Sequence, residues 1–160
     1  MTGHTDNSVV IAADLDYVWD LTNDLELWPQ LFTEYASVEL LDRRSDTVRF
    51  RLTMHPNPDG VAWSWVSERT LDHAAHRVRA HRIELGWFER MDIEWSYQAE
   101  DGGTRMRWVQ DFAMNAESPV ALQAMTDHIN RNSAVQMEHI RQEVERRWAQ
   151  ERVAVIGAQK

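Results

Sequence analysis

The stretch Gly60-Val-Ala-Trp-Ser-Trp-Val-Ser-Glu-Arg69 decides the fold. Read as a β-strand, its side chains alternate between two faces. Trp63, Trp65, Ser67 and Arg69 then share one face, and Ala62, Ser64, Val66 and Glu68 the other. A packed core rejects an unpaired guanidinium, because burying a charge alone costs on the order of several kcal/mol. A solvated surface has no use for two indoles. A strand that carries both on one side is best placed against a wet, aromatic-walled space, and its neighbours must complete the walls.

The neighbouring segments share the period of two. Alternating strands are expected at Ala36–Leu41, Thr47–Met54, Val61–Leu71, His76–Glu84, Asp92–Glu100 and Thr104–Met114, with another at Ser8–Ala12. The links HPNPDG, LDHAA and EDGG are turn-rich, and short turns between successive strands give an antiparallel meander. A helix is expected at Asp14–Asn23, with Leu15, Val18, Trp19 and Thr22 at helical spacing and Asp14 as its N-cap. A second short piece lies near Glu26–Phe32, interrupted at Pro29. The last helix runs from Ser118-Pro119 to about Glu151. Its apolar stripe is Leu122, Met125, Ile129, Ser133, Met137 (or Gln136), Ile140 and Val144.

This order gives an α+β fold: a curved seven-stranded antiparallel sheet, two short helices, and a long C-terminal helix over an interior cavity. That order resembles the helix-grip arrangement of START and Bet v 1-like domains. Residues 1–150 are expected as one domain and 151–160 as a flexible tail.

Each strand shows one apolar face. Val48, Phe50, Leu52 and Met54 form one set, Met91, Ile93, Trp95 and Tyr97 another, and Met106, Trp108, Gln110, Phe112 and Met114 a third. In His76–Glu84, Arg77, Arg79 and His81 make the opposite set the more polar, so Arg82 faces inward or snorkels past the strand end. Ser67, Arg69, Arg82 and Gln110 are the inward polar groups, joined by Tyr97 and Tyr35. Any one tryptophan alone fits a plain sheet–helix core. Arg69, behind two inward indoles, favours a pocket. The only inward acid in reach is Glu84.

The 160-residue chain has a formal net charge of −9, which argues against nucleic-acid binding. It has no cysteine, hence no disulfide and no thiolate zinc site. The N-terminal MTGHTDNS lacks the order of a signal peptide, and no apolar run reaches membrane-spanning length. A cytoplasmic protein without a membrane partner is the expectation. His73 and His76 lie in a turn with no third ligand, so no metal site is assigned. No GxSxG, P-loop or GxGxxG motif is present, and no cofactor is implied.

The stretches VWDLTNDLELWPQLFTEYASVE, FRLTMHP, WSWVSER, VRAHRIELGWF and MRWVQDFAM resemble the single-domain aromatase/cyclases of bacterial type II polyketide synthesis, of the tetracenomycin and spore-pigment type. Asp14 stands where that family usually has proline, and Trp87 where a proline often follows glycine. The resemblance implies a cofactor-independent enzyme that folds a linear poly-β-ketone carried on an acyl carrier protein. It implies aldol closure of the first ring between carbons 9 and 14 and aromatisation by dehydration. The carrier's phosphopantetheine arm and the ketosynthase/chain-length factor are the implied partners. Arg69, Tyr35 and Arg82 are the implied catalytic residues. Trp28, Phe32, Phe50, Trp63, Trp65, Ser67, Phe88, Met91, Trp95 and Trp108 are the implied substrate-binding residues, with Gln110 added from the inward face.

Arginine stays protonated, so Arg69 is expected to stabilise an enolate, with Tyr35 as proton donor. Arg82 does similar work or holds the tether. No strong inward base is apparent in the sequence. Docking of an acidic carrier calls for a basic patch, expected near Arg77, Arg79 and Arg90. Two other functions fit the same pocket: a non-catalytic carrier of lipid or aromatic ligands, and a structural subunit of a synthase.

Overall fold

The computed structural model describes residues 1–158. Strand β1 (Gly3–Ile11) leads into helix α1 (Leu15–Thr22), a 3-10 turn (Leu25–Leu27) and the single-turn helix α2 (Trp28–Leu31). The meander follows as β2 (Tyr35–Arg44), β3 (Thr47–Met54), β4 (Ser64–Asp72), β5 (Arg77–Arg82), β6 (Phe88–Glu100) and β7 (Gly103–Met114). Helix α3 (Leu122–Ala158) closes the chain. One seven-stranded antiparallel sheet has the order β1-β7-β6-β5-β4-β3-β2, so β1 crosses to pair with the last strand. The short helices carry the chain from one sheet edge to the other. Irregular pairing at Tyr35/Ser37 and Leu40/Asp42 interrupts the β2 ladder, as bulges do where a sheet must bend.

The register aligns the inward residues in rows. Phe50 lies opposite Ser67, which lies opposite Arg82; Val48 lies opposite Arg69, which lies opposite Ala80. Trp95 lies opposite Trp108. Helix α3 crosses this face against β1 and buries Ser133, Gln136, Met137, Ile140 and Val144 beneath it. Asn132 and Gln136 tie α3 to the junction before β2: the Thr33 amide donates to Gln136 Oε1 at 2.9 Å, and Gln136 Nε2 to Thr33 Oγ1 at 2.8 Å.

Several boundaries move: β1 begins at Gly3 rather than Ser8, β2 runs on to Arg44 rather than Leu41, and β6 begins at Phe88 rather than Asp92. The third expected strand begins at Ser64, because Asn57 folds residues 57–61 into a closed loop: its Oδ1 accepts from the Asp59 and Val61 amides at 3.0 Å each. α3 begins at Leu122 because Ser118 closes a local turn on Val120, its Oγ accepting from that amide at 3.1 Å. Asp14 holds the N-cap position of α1, but its side chain makes no capping bond. The expected tail is helical from 151 to Ala158, and the rest of it, 159–160, lies outside the described residues.

Candidate active site

Arg69 is brought inward by the alternation of β4 and is 2% exposed. Its guanidinium carbon sits 4.8 Å from the Trp28 ring centre and 4.6 Å from that of Trp95. Trp28 comes from α2 and Trp95 from β6, so two layers of the fold close over one cation. Indole faces attract a guanidinium without neutralising it. Nη2 donates to Asn23 Oδ1 at 2.5 Å, while Nε is buried without a protein partner. Burial pushes the Arg69 pKa down to about 10, and at neutral pH it remains a cation.

Arg82 lies at the level of Ser67, two residues nearer the rim than Arg69, a stagger of roughly 7 Å along the sheet. It faces inward, 4.8 Å from the Trp65 ring and 5.3 Å from Phe88, and Nε donates to the Glu84 carbonyl at 3.0 Å. Its half-buried position pushes the pKa down to about 10. Gly86 makes room for it: that residue has φ +60°, and a β-carbon there would sit 3.3 Å from Arg82 Nη2. Among the described residues no carboxylate forms an ion pair with either arginine. Glu84 turns to the outer face and pairs with Arg51 at 3.0 Å, so it is not the inward acid the alternation suggested.

Tyr35 opens β2 among the Phe32, Trp28 and Trp65 rings, 4.8, 6.0 and 6.2 Å away. Burial, then the charge of Glu34, hold its hydroxyl well above the ordinary phenol range, so it is a neutral donor. Glu34 is the functional candidate missing from the sequence reading. Asn132 of α3 donates to both its carboxylate oxygens, at 3.2 and 3.1 Å, and the Tyr35 hydroxyl lies near enough to feel its charge. Burial nevertheless raises its pKa. It lies just before β2, where strand alternation says nothing of direction; the one available signal was an acid adjoining Tyr35.

The expected binding residues mostly converge. Trp28, Phe32, Phe50, Trp95 and Trp108 are buried and in ring contact, with Trp95 stacked on Trp108 at 4.7 Å and Phe32 on Trp108 at 5.9 Å. Ser67 and Met91 are buried, and half-buried Phe88 packs edge-on against Phe112. Gln110 faces inward, but its amide donates to Ser133 Oγ of α3 at 3.2 Å. Trp63 does not join them. It precedes β4, is 48% exposed, and its ring meets Trp87 at 5.2 Å on the rim. Beneath α3 the rings touch one another. The surface hollows of about 350 and 300 Å³ lie instead on the outer face, lined largely by charged residues such as Arg49, Glu68, Arg79 and Asp92.

The turn histidines have protein partners, and the expected basic patch changes in detail. His73 Nδ1 accepts from Trp19 Nε1 at 3.2 Å, and His76 faces Asp16, so both histidines brace α1. Arg77 pairs with Glu94 and Arg90 with Asp92, which leaves Arg79 as the one member of the expected basic patch outside an ion pair among the described residues. No described helix is long and apolar enough to cross a membrane.

Residues 11–141 match the family described as polyketide cyclase/dehydrase and lipid transport. A Streptomyces cyaneus protein named "Putative polyketide cyclase" is 58% identical over 145 residues, 91% of this chain and 95% of that one. A Streptomyces halstedii protein of the same name is 61% identical over 109 residues, 68% of this chain and all of the other. The Zhui aromatase/cyclase from Streptomyces sp. R1128 has the same fold, with a TM-score of 0.81 at 23% identity, covering 92% of this chain and 96% of that one.

Proposed function

Since the chain belongs to the polyketide cyclase/dehydrase and lipid transport family, we propose that it folds a carrier-bound linear poly-β-ketone, closes its first ring and aromatises it. The observation that carries this reading is the buried Arg69 cation, faced by two indoles and joined to no carboxylate. In this reading the ring closes between carbons 9 and 14, the regiochemistry that the resemblance to the tetracenomycin and spore-pigment cyclases implies. The tethering partner is an acyl carrier protein, and the chain comes from the ketosynthase/chain-length factor. Trp63 and Trp87 mark the rim, and entry requires the rings beneath α3 to part.

A methylene between two ketones is acidic, so the difficulty is selection among many. Rings at fixed positions hold one methylene at attack distance from one carbonyl. Arg69 donates to the ketone oxygen and stabilises the enolate as the C–H proton leaves. The enolate carbon bonds to the second carbonyl carbon, and the resulting alkoxide takes a proton from the Tyr35 hydroxyl. Glu34, beside that hydroxyl, accepts the proton released from carbon and returns one to Tyr35. Aromatisation then removes a second C–H proton and a hydroxyl as water. Arg82 binds a further ketone or the tether nearer the rim.

The test is reconstitution with a minimal polyketide synthase and profiling of the products. The first ring should form at one position with wild-type protein and at scattered positions with Arg69→Ala. A product set identical to that formed without the protein would favour a non-catalytic carrier.

A further inference from the structure

We infer that Asn23 is the positioning residue for Arg69, and that its amide, standing where a carboxylate would fit, keeps the guanidinium uncompensated for a substrate oxygen. This rests on the role given to Arg69 above. Asn23 ends α1, and its backbone N–H and its side-chain Nδ2 both donate to the Trp19 carbonyl, at 3.2 and 2.9 Å. That second bond fixes which end of the amide is which, so Oδ1 points at Arg69 and accepts from Nη2 at 2.5 Å. The segment is itself held. Thr22 Oγ1 donates to the Val18 carbonyl at 2.7 Å and lies 2.6 Å from the Tyr97 hydroxyl, and Trp19 packs edge-on against Tyr97.

The Asn23 bond is therefore an anchor on a rigid helix end. It engages one of the five guanidinium N–H groups and orients the plane between Trp28 and Trp95. Nε stays without a protein acceptor. An aspartate at position 23 would have the same shape and would still accept the Nη2 bond. It would also form a desolvated ion pair, and the field that a developing enolate needs would be spent on the carboxylate. Asn23 supplies direction without charge.

The experiment compares Asn23→Asp, Asn23→Ala, Arg69→Ala and wild type in the reconstituted synthase, with thermal unfolding and ¹³C NMR of the labelled arginine Cζ carbons alongside. Asn23→Asp should unfold at or above the wild-type temperature, yet form the correct first ring roughly ten- to hundred-fold more slowly. Its Arg69 Cζ should titrate well above the wild-type midpoint. Asn23→Ala should lose positional control while Arg69 still titrates as in wild type. Wild-type rates and products from both Asn23 variants, with Arg69→Ala inactive, would overturn the role of Asn23 and leave that of Arg69 standing. Wild-type products from Arg69→Ala would overturn both. An Arg69 titration unmoved in a folded Asn23→Asp protein would refute the charge argument whatever the products.

Discussion

On the outer face of the sheet, Arg49 and Arg51 of β3, Arg77 of β5, Arg90 of β6, and Arg105 and Arg107 of β7 each lie 2.5–3.5 Å from a carboxylate oxygen. On the inner face, Arg69 and Arg82 have aromatic rings and neutral oxygens instead. The two sets occupy the same sheet, and in β4 Glu68, which pairs with Arg49, is the residue before Arg69. What separates them is the side of the strand. The outer pairs are exposed and contribute roughly 0–1 kcal/mol each. The inner cations are destabilising, and their lack of a carboxylate partner is what supports the ligand role proposed for them.

The largest effect is expected from Arg69→Met. Correct first-ring product should be lost, because Arg69 is the only fully buried cation among the described residues. Stability at neutral pH should rise, since lowering the Arg69 pKa from 12.5 to about 10 corresponds to roughly 3 kcal/mol of unfavourable burial. The sign follows from linkage. A base whose folded pKa is depressed destabilises fully below that pKa and is relieved as pH rises through it. The gain should therefore be constant up to about pH 9 and shrink above about 10. Denaturant melts that place the variant below wild type at pH 7 would mean that Arg69 is a structural element.

Glu34→Gln tests the inner face from the acid side. Burial raises the Glu34 pKa, so between the unfolded and folded values the native state binds more protons, and stability falls as pH rises across that window. The glutamine variant should lack this fall and be the more stable protein at pH 7. Its cyclisation rate should drop roughly 10²-fold, the scale of one acid–base group. A variant of wild-type activity would take Glu34 out of the proton path. A smaller contrast is expected at the rim: Trp65→Ala should degrade product selectivity, because Trp65 touches Tyr35 and Arg82, whereas Trp63→Ala should leave it within about two-fold.

The inner face was legible wherever strand alternation holds. Trp65, Ser67 and Arg69, then Trp95 and Trp108, follow from a period of two, and the long helix from its stripe. The period fails where the strand ends. Trp63 sits just before β4; its carbonyl still accepts from the Met54 amide of β3 at 2.8 Å, but the preceding residues 57–61 are folded into a loop by Asn57. Glu34 and Asn23 lie at element ends, and their directions are set by Asn132 of α3 and by the Trp19 carbonyl. The first contact joins residues far apart in the chain, which no local pattern encodes; the second is a local helix-end bond, but the Arg69 partner it aims Asn23 at comes from β4, 46 positions on. Glu84 shows the converse error: a strand-end acid counted inward is drawn outward by Arg51.

The smallest effect should come from the outer face, and it is the control on which the comparison stands. Arg49 donates to Glu68 Oε2 through both Nε and Nη2, at 3.2 and 2.8 Å, the best-formed pair next to Arg69 in the sheet. The Arg49 side chain is 47% exposed, so water and salt screen the pair. A double-mutant cycle with Arg49→Met and Glu68→Gln should give a coupling below about 1 kcal/mol that shrinks further in high salt. The ring-closure pattern should not move. A coupling of several kcal/mol, or scattered products from Arg49→Met, would show that charge on the outer face reaches the interior, and burial alone would then no longer distinguish the outer arginines from the one proposed to meet the substrate.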